Sequence, residues 1–150
     1  MANAQAVATS FKTELLTGIH ALGTTVVRGS TAADAFKASL YVTTGSIGAA
    51  TTAYSATNEV SGSGYSAGGI TFTWVAPTSS GTTAYSTPSA ALSYGTVTLA
   101  TAFDCVLLYN STQSNKAVAS YTFGSTTVSA GTFTINMPTN DSTNGLLRLA

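Results

Sequence analysis

The sequence predicts an all-β fold, a β-sandwich or barrel-like arrangement, with one N-terminal α-helix. Three observations predict it. From Phe36 onward, apolar and polar residues alternate with a period of two, the mark of half-buried strands. Gly, Pro and Asn punctuate those runs at the spacing expected of a sandwich or barrel. Before them, one stretch follows the helical period instead.

That stretch comes first. Val7, Phe11, Leu15, Ile19 and Leu22 recur at spacings of three and four, which places them on one face of an amphipathic helix from about residue 5 to 22. Gly18 weakens this helix by about 1 kcal/mol relative to Ala, and Gly23 is suited to end it. His20 sits beside the apolar face and reads as a partly exposed helix histidine. The helix either caps the β domain or forms an arm that docks on a neighbouring subunit.

After Gly29 the helical period disappears. Phe36, Ala38, Leu40 and Val42 alternate with Lys37, Ser39, Tyr41 and Thr43 to give a first strand. Ile70, Phe72 and Trp74 give a second, and Val97 and Leu99 a third. Cys105 to Tyr109 is continuously apolar, so both of its faces are expected to be covered. Ala117, Ala119, Tyr121 and Phe123 share one face of the next strand. Phe133, Ile135 and Met137 alternate with Thr132, Thr134 and Asn136, and Leu146 to Ala150 reads as the last strand. Val, Ile, Thr and aromatic residues suit these positions because they pack well on a pleated surface. The turns are assigned to Gly45, Gly48, Gly81, Pro88, Gly95, Asn110, Gly124, Gly131, Pro138, Asn140 and Gly145. Two stretches, Ser55–Gly69 and Pro77–Tyr94, read as long loops, a kind that often carries function. No repeat of solenoid period occurs.

The 150 residues suit one domain, 1–150, divided into a helix or arm at 1–23 and a β domain at 30–150. Hydrophobic residues make up 44% of the chain and charged residues only 7%, against a usual ~25% charged. The polar surface is therefore built from Ser, Thr, Asn and Gly. Lys12, Arg28, Lys37, Lys116 and Arg148 are scattered, whereas nucleic acid and anionic membranes call for clustered cations. Neither partner is expected. No apolar run approaches the ~20 residues that span a bilayer. The formal net charge is zero, which leaves little repulsion to oppose association. The N-terminal residues Met1 to Ala6 lack the basic start of a secretory signal. Asn110-Ser111-Thr112 and Asn140-Asp141-Ser142 match glycosylation sequons but read as turns.

The chain carries little that points to catalysis. Cys105 is the single cysteine, sits in a strand-like run and reads as a small buried hydrophobe. A nucleophile needs a base beside it, and His20 is the only imidazole. Glycoside hydrolysis needs two carboxylates across a bond, yet nothing selects a pair among Glu14, Asp34, Glu59, Asp104 and Asp141. No metal-ligand spacing is present, so no catalytic residue, metal or cofactor is expected. Gly62-Ser63-Gly64-Tyr65-Ser66-Ala67-Gly68-Gly69 has the glycine density of a phosphate loop but lacks the Gly-Lys-Ser/Thr ending; it reads as a tight surface loop. Glu59, a single carboxylate beside it, is suited to accept backbone N–H bonds and fix the loop shape, or to pair with Arg28 or Lys37.

Several segments resemble a family. Asp34-Ala35-Phe36-Lys37-Ala38-Ser39-Leu40-Tyr41 is similar to an opening strand of small virion structural proteins of tailed bacteriophages. Tyr54-Ser55-Ala56-Thr57-Asn58-Glu59-Val60-Ser61-Gly62-Ser63-Gly64-Tyr65-Ser66-Ala67-Gly68-Gly69 resembles their signature loop. Leu107 to Ala119 is similar to a strand–turn–strand of the same group, which Phe123-Gly124 and Ala130 to Ile135 continue. The resemblance runs from about residue 11, in the same order, and leaves out Thr73 to Tyr94.

The resemblance implies a capsid decoration or cement protein without an enzymatic site. Its partners would be the major capsid protein and further copies of itself, as a homotrimer on the capsid surface of a virion assembled in the host cytoplasm. Multivalent attachment gains from effective concentration without new contacts. An uncharged surface has little Coulomb energy for salt to screen. The expected contacts are Val7, Phe11, Leu15 and Ile19 on the helix, and Glu59 and Tyr65 on the loop. The competing expectation is a tail-fibre or receptor-binding module, with Tyr85 and Tyr94 in loop 77–94 as its surface.

Overall fold

The computed structural model describes residues 3–8, 10, 11, 15, 19, 20, 22, 23 and 33–149. Among them are eight strands: β1 (Ala6–Val7), β2 (Phe36–Val42), β3 (Ile70–Phe72), β4 (Thr78–Ser80), β5 (Thr83–Ser86), β6 (Leu92–Asn110), β7 (Lys116–Ile135) and β8 (Leu147–Leu149). They form two antiparallel sheets, one of order β1-β7-β6-β2-β3 and one of order β4-β5-β8. The all-β class expected from the alternation is what the chain adopts.

The helix expected over 5–22 falls partly outside the described residues. At its start the structure differs, because Ala6–Val7 is the strand β1. Ala6 and Val7 pair with Ser120 and Ala119, the Ala8 N–H donates to the Val118 carbonyl, and the Ser120 hydroxyl donates to the Ala4 carbonyl. A ready edge on β7 overrides the local helical preference of two residues.

The central feature is the β6–β7 hairpin, 19 and 20 residues long. Sequence reading divides it into four short strands with turns at Gly95, Gly124 and Gly131. In the structure these glycines lie inside the strands, beside breaks in register between Ser93 and Thr96, Val97 and Leu99, and Phe103 and Cys105. They mark bulges rather than turns. Gly95 has φ of 46°, the left-handed region where glycine escapes the penalty of a Cβ.

The bulges bend the hairpin back on itself. Ala38 of β2 pairs with Leu108 in the second half of β6. The hydroxyl of Tyr94, in the first half of the same strand, donates to the Ala38 carbonyl at 3.2 Å. A straight strand would hold residues 94 and 108 about 46 Å apart, so β6 must fold over. The register break between Leu99 and Phe103 leaves more residues on β6 than on β7 and supplies the bend.

The core lies inside this fold. Phe103 stacks edge-on with Phe133 at 5.0 Å and Phe123 at 5.9 Å, and Tyr94 meets Phe133 at 5.9 Å, so rings from both halves of the hairpin interlock. Leu40, Leu92, Val97, Leu99, Leu107 and Leu108 complete it, together with Trp74, which packs on Phe36 and Phe72. Cys105 to Asn110 is buried throughout, as the unbroken apolar run predicts. Burial of this kind contributes about 1.5–3 kcal/mol per large side chain.

The stretch Pro77–Tyr94, expected as a loop, instead holds β4, β5 and the start of β6. Thr78–Ser80 is exposed at every position, so no apolar alternation announces it. It pairs with Thr83–Ser86 around a turn at Gly81-Thr82. Tyr94, expected on an accessible loop, is 4% exposed.

Candidate interaction surfaces

The glycine-rich loop is built around Glu59. Its Oε1 accepts from the Tyr65 hydroxyl at 2.7 Å and the Gly68 N–H at 2.8 Å, and its Oε2 accepts from the Tyr54 hydroxyl at 2.7 Å. The Tyr65 hydroxyl in turn accepts the Leu40 N–H of β2 at 3.0 Å. Tyr109 on β6 donates to the Gly68 carbonyl at 2.8 Å, and its ring stacks on Tyr54 at 4.8 Å. One carboxylate therefore reaches β2 through the Tyr65 hydroxyl and shares the fixing of Gly68 with β6. Backbone bonds extend the attachment: Val60 N–H donates to Leu40 O, Val42 N–H to Asn58 O, and Thr98 N–H to Ser63 O.

The glycines are required by close approach. A Cβ at Gly69, where φ is 71°, would lie 1.7 Å from the Ala38 carbonyl oxygen, and one at Gly62 would lie 2.0 Å from that of Thr98. The loop is pressed on backbone that cannot move aside. Its outer residues, Ser55 to Asn58, Ser61 to Gly64, Ser66 and Ala67, are exposed and uncharged. The expected loop residues Glu59 and Tyr65 are thus brought together, but both face inward as the loop's fastening.

The tyrosines of this cluster are held neutral. Burial pushes the Tyr41 hydroxyl up to about 12, and that of Tyr109 likewise to about 12, with the Glu59 charge adding to both. Burial also raises Tyr65 and Tyr94, and Glu59 raises them further.

A second surface is an apolar groove of about 330 Å³ between the N-terminal segment and the smaller sheet. Val7, Phe11 and Leu15 line one side, and Tyr85, Leu147 and Leu149 line the other. Leu149 is 58% exposed. Three of the four apolar residues expected to make contacts therefore share one groove; Ile19 is half-buried and is not among its lining residues. Phe11 is itself 2% exposed, so it forms the floor rather than a projecting contact.

His20 differs from its expectation. It is 7% exposed, lies 4.7 Å from the Phe11 ring, and its Nδ1 is 3.1 Å from the Asn110 amide nitrogen. Asn110 Oδ1 accepts the Thr112 and Gln113 N–H groups, and its amide nitrogen donates to Asp34 at 2.8 Å. Those partners orient the amide, so His20 Nδ1 is the acceptor. Asn110 of the first sequon is fully buried and closes the β6–β7 turn, the structural role its sequence suggests.

The other titratable groups are dispersed. Asp104 accepts from Asn3 at 2.7 Å. Asp141 takes the Thr143 and Asn144 N–H groups, and its bonds to Asn144 hold its carboxyl below the usual range. Cys105 is fully buried; desolvation, aided by Asp104, pushes its thiol up to about 12. Among the described residues no three His, Cys, Asp or Glu side chains gather as a metal site, and no helix is long and apolar enough to cross a membrane.

Comparison with protein-family models, curated proteins and solved structures gives no match to this chain.

Proposed function

We propose that this protein is a non-enzymatic structural protein of a tailed-phage particle, which decorates and cements the capsid as an oligomer. The observation that carries the reading is the build of loop 55–69, the segment with the most specific resemblance. Its one carboxylate is consumed in holding the loop shape, and it presents a fixed, uncharged outer surface. A preformed surface loses little conformational entropy on binding, and its contacts are nearly independent of salt. Both properties suit attachment at many equivalent sites of a lattice. The apolar groove lined by Val7, Phe11 and Leu15 is the second contact in this reading, with the major capsid protein as its partner.

The tail-module alternative placed Tyr85 and Tyr94 on a receptor surface. Burial of Tyr94 removes half of that surface. The deciding experiment is the copy number of this protein relative to the major capsid protein in purified particles, by quantitative mass spectrometry. A simple fraction of the lattice number is expected. A few to a few dozen copies per particle would move the protein to the tail, and its absence from particles would refute the virion role.

A further inference from the structure

The second half of β7 ends in an edge with unusual chemistry. Gly131, Thr132, Thr134 and Ile135 pair on one side with Val97, Thr96, Ser93 and Leu92 at the start of β6. On the other side no backbone pairing occurs among the described residues, because β1 covers only Ala119 and Ser120 of β7. Further back, breaks in register at Phe103–Cys105 and Val97–Leu99 put extra residues on β7 and disrupt its edge. Bulges of this kind are one way proteins prevent edge pairing. From Gly131 onward the one remaining break, between Ser93 and Thr96, puts its extra residue on β6 and not on β7; β7 ends at Ile135, and Asn136 and Met137 keep its alternation of exposed and half-buried residues up to Pro138.

Other protective devices are missing from this segment. No Lys, Arg, Asp or Glu occurs between Lys116 and Asp141, and no Pro before Pro138. Thr132, Thr134 and Asn136 are exposed on one face, while Phe133, Ile135 and Met137 are half-buried on the other. An uncharged segment with Thr132, Phe133, Thr134 and Ile135, four residues of high β-propensity, at its centre has the composition that favours strand addition.

We propose that the edge Gly131–Met137 pairs, antiparallel, with the same edge of a second copy of this chain. The occupant follows from symmetry and charge. An antiparallel edge is its own complement under a two-fold axis. The chain has zero formal net charge, so two copies meet on an uncharged strip without repulsion. The contact is modest: seven residues extend about 24 Å, short of a standard interface of roughly 1,200–2,000 Å². It forms weakly in solution and gains on a lattice, where neighbours are held at high effective concentration. The inference rests on the self-association part of the proposed function and not on its virion part. It joins copies in pairs, where the sequence led to a trimer.

Sedimentation of the intact protein across a wide concentration range tests it, with Thr132→Lys/Thr134→Lys as the edge variant and Ser93→Lys, on the inner strand of the same ribbon, as the control. The wild type and the control are expected to dimerise reversibly. The edge variant is expected to weaken dimerisation about tenfold or more, because lysines then face each other across the axis. Should the variant fail to fold by circular dichroism, hydrogen exchange of the wild type replaces it: amides of 131–137 become protected as concentration rises. A wild type monomeric at every concentration, a trimer, an edge variant that dimerises unchanged, or exchange at 131–137 independent of concentration would each overturn the proposal. These measurements need no particle, so their failure leaves the copy-number test of the virion role untouched.

Discussion

Removing the Glu59 carboxylate should release the glycine-rich loop from the sheet. Glu59→Ala deletes the acceptor for Tyr54, Tyr65 and Gly68. Tyr54 is half-buried and its hydroxyl recovers water. The Tyr65 hydroxyl, more deeply buried than that of Tyr54, and the buried Gly68 N–H do not recover theirs as easily. A buried donor left unsatisfied costs about 1–3 kcal/mol, so two such groups give a loss of about 2–6 kcal/mol. Glu59→Gln keeps one oxygen and replaces the other by an amide nitrogen. The Tyr54 hydroxyl can turn to accept from that nitrogen, which limits the loss to about 1–2 kcal/mol. Urea unfolding at pH 7, followed by tryptophan fluorescence, measures both, since Trp74 is the single tryptophan and is buried in the core. Limited proteolysis within 55–69 reports whether the loss is local. A Glu59→Ala protein within ~0.5 kcal/mol of wild type, its loop still protected, would refute the view that this carboxylate fastens the loop.

Other outcomes follow from the same geometry. Gly69→Ala should cost at least ~3 kcal/mol, since its Cβ meets the Ala38 carbonyl at 1.7 Å and its φ is positive; Gly124→Ala, with open space around it, should change stability by less than ~1 kcal/mol in the same unfolding assay. The buried tyrosines Tyr41 and Tyr109, raised to about 12 from 10.0, stabilise the fold in their neutral form. That stability is complete below pH 10 and lost as pH rises through about 12; tyrosinate absorbance and sheet circular dichroism should change together in that window, and titration near pH 10 with the sheet intact would contradict it. Cys105 should resist thiol reagents at pH 8 and react in urea, because burial disfavours its thiolate; prompt labelling of the native protein would show the site to be open.

What the sequence revealed depended on how local the cause was. Strand β2 was legible because Phe36, Ala38 and Leu40 alternate with more polar neighbours, but its expected half-exposed face was not, since loop 55–69 lies against β2 and Ser39 and Tyr41 are fully buried. The role of Glu59 was legible because a single carboxylate among glycines has few uses. β4 was not legible: Thr78–Ser80 buries nothing, and its strand state comes only from pairing with β5. Gly95 and Gly131 were read as turns because a glycine between apolar runs signals a turn and a bulge alike. His20 was read as partly exposed because its partner Asn110 lies 90 residues away. Tyr94 was misplaced for a related reason, since the bend that buries it depends on register in a hairpin whose pairing no local pattern records.

The β6–β7 hairpin also sets an order of events as the chain is made. Asn110 meets Lys116 across a short turn, so this pairing closes at little entropic cost. Ala6 meets Ser120 only across 114 residues, and β2 finds its place beside β6 only when Phe103 to Asn110 exist. At roughly 5–20 residues per second on the ribosome, β1 waits about 6–23 s for its partner strand. The first strand to emerge is therefore among the last to be paired, and the protein completes its larger sheet from the carboxyl-terminal half backward.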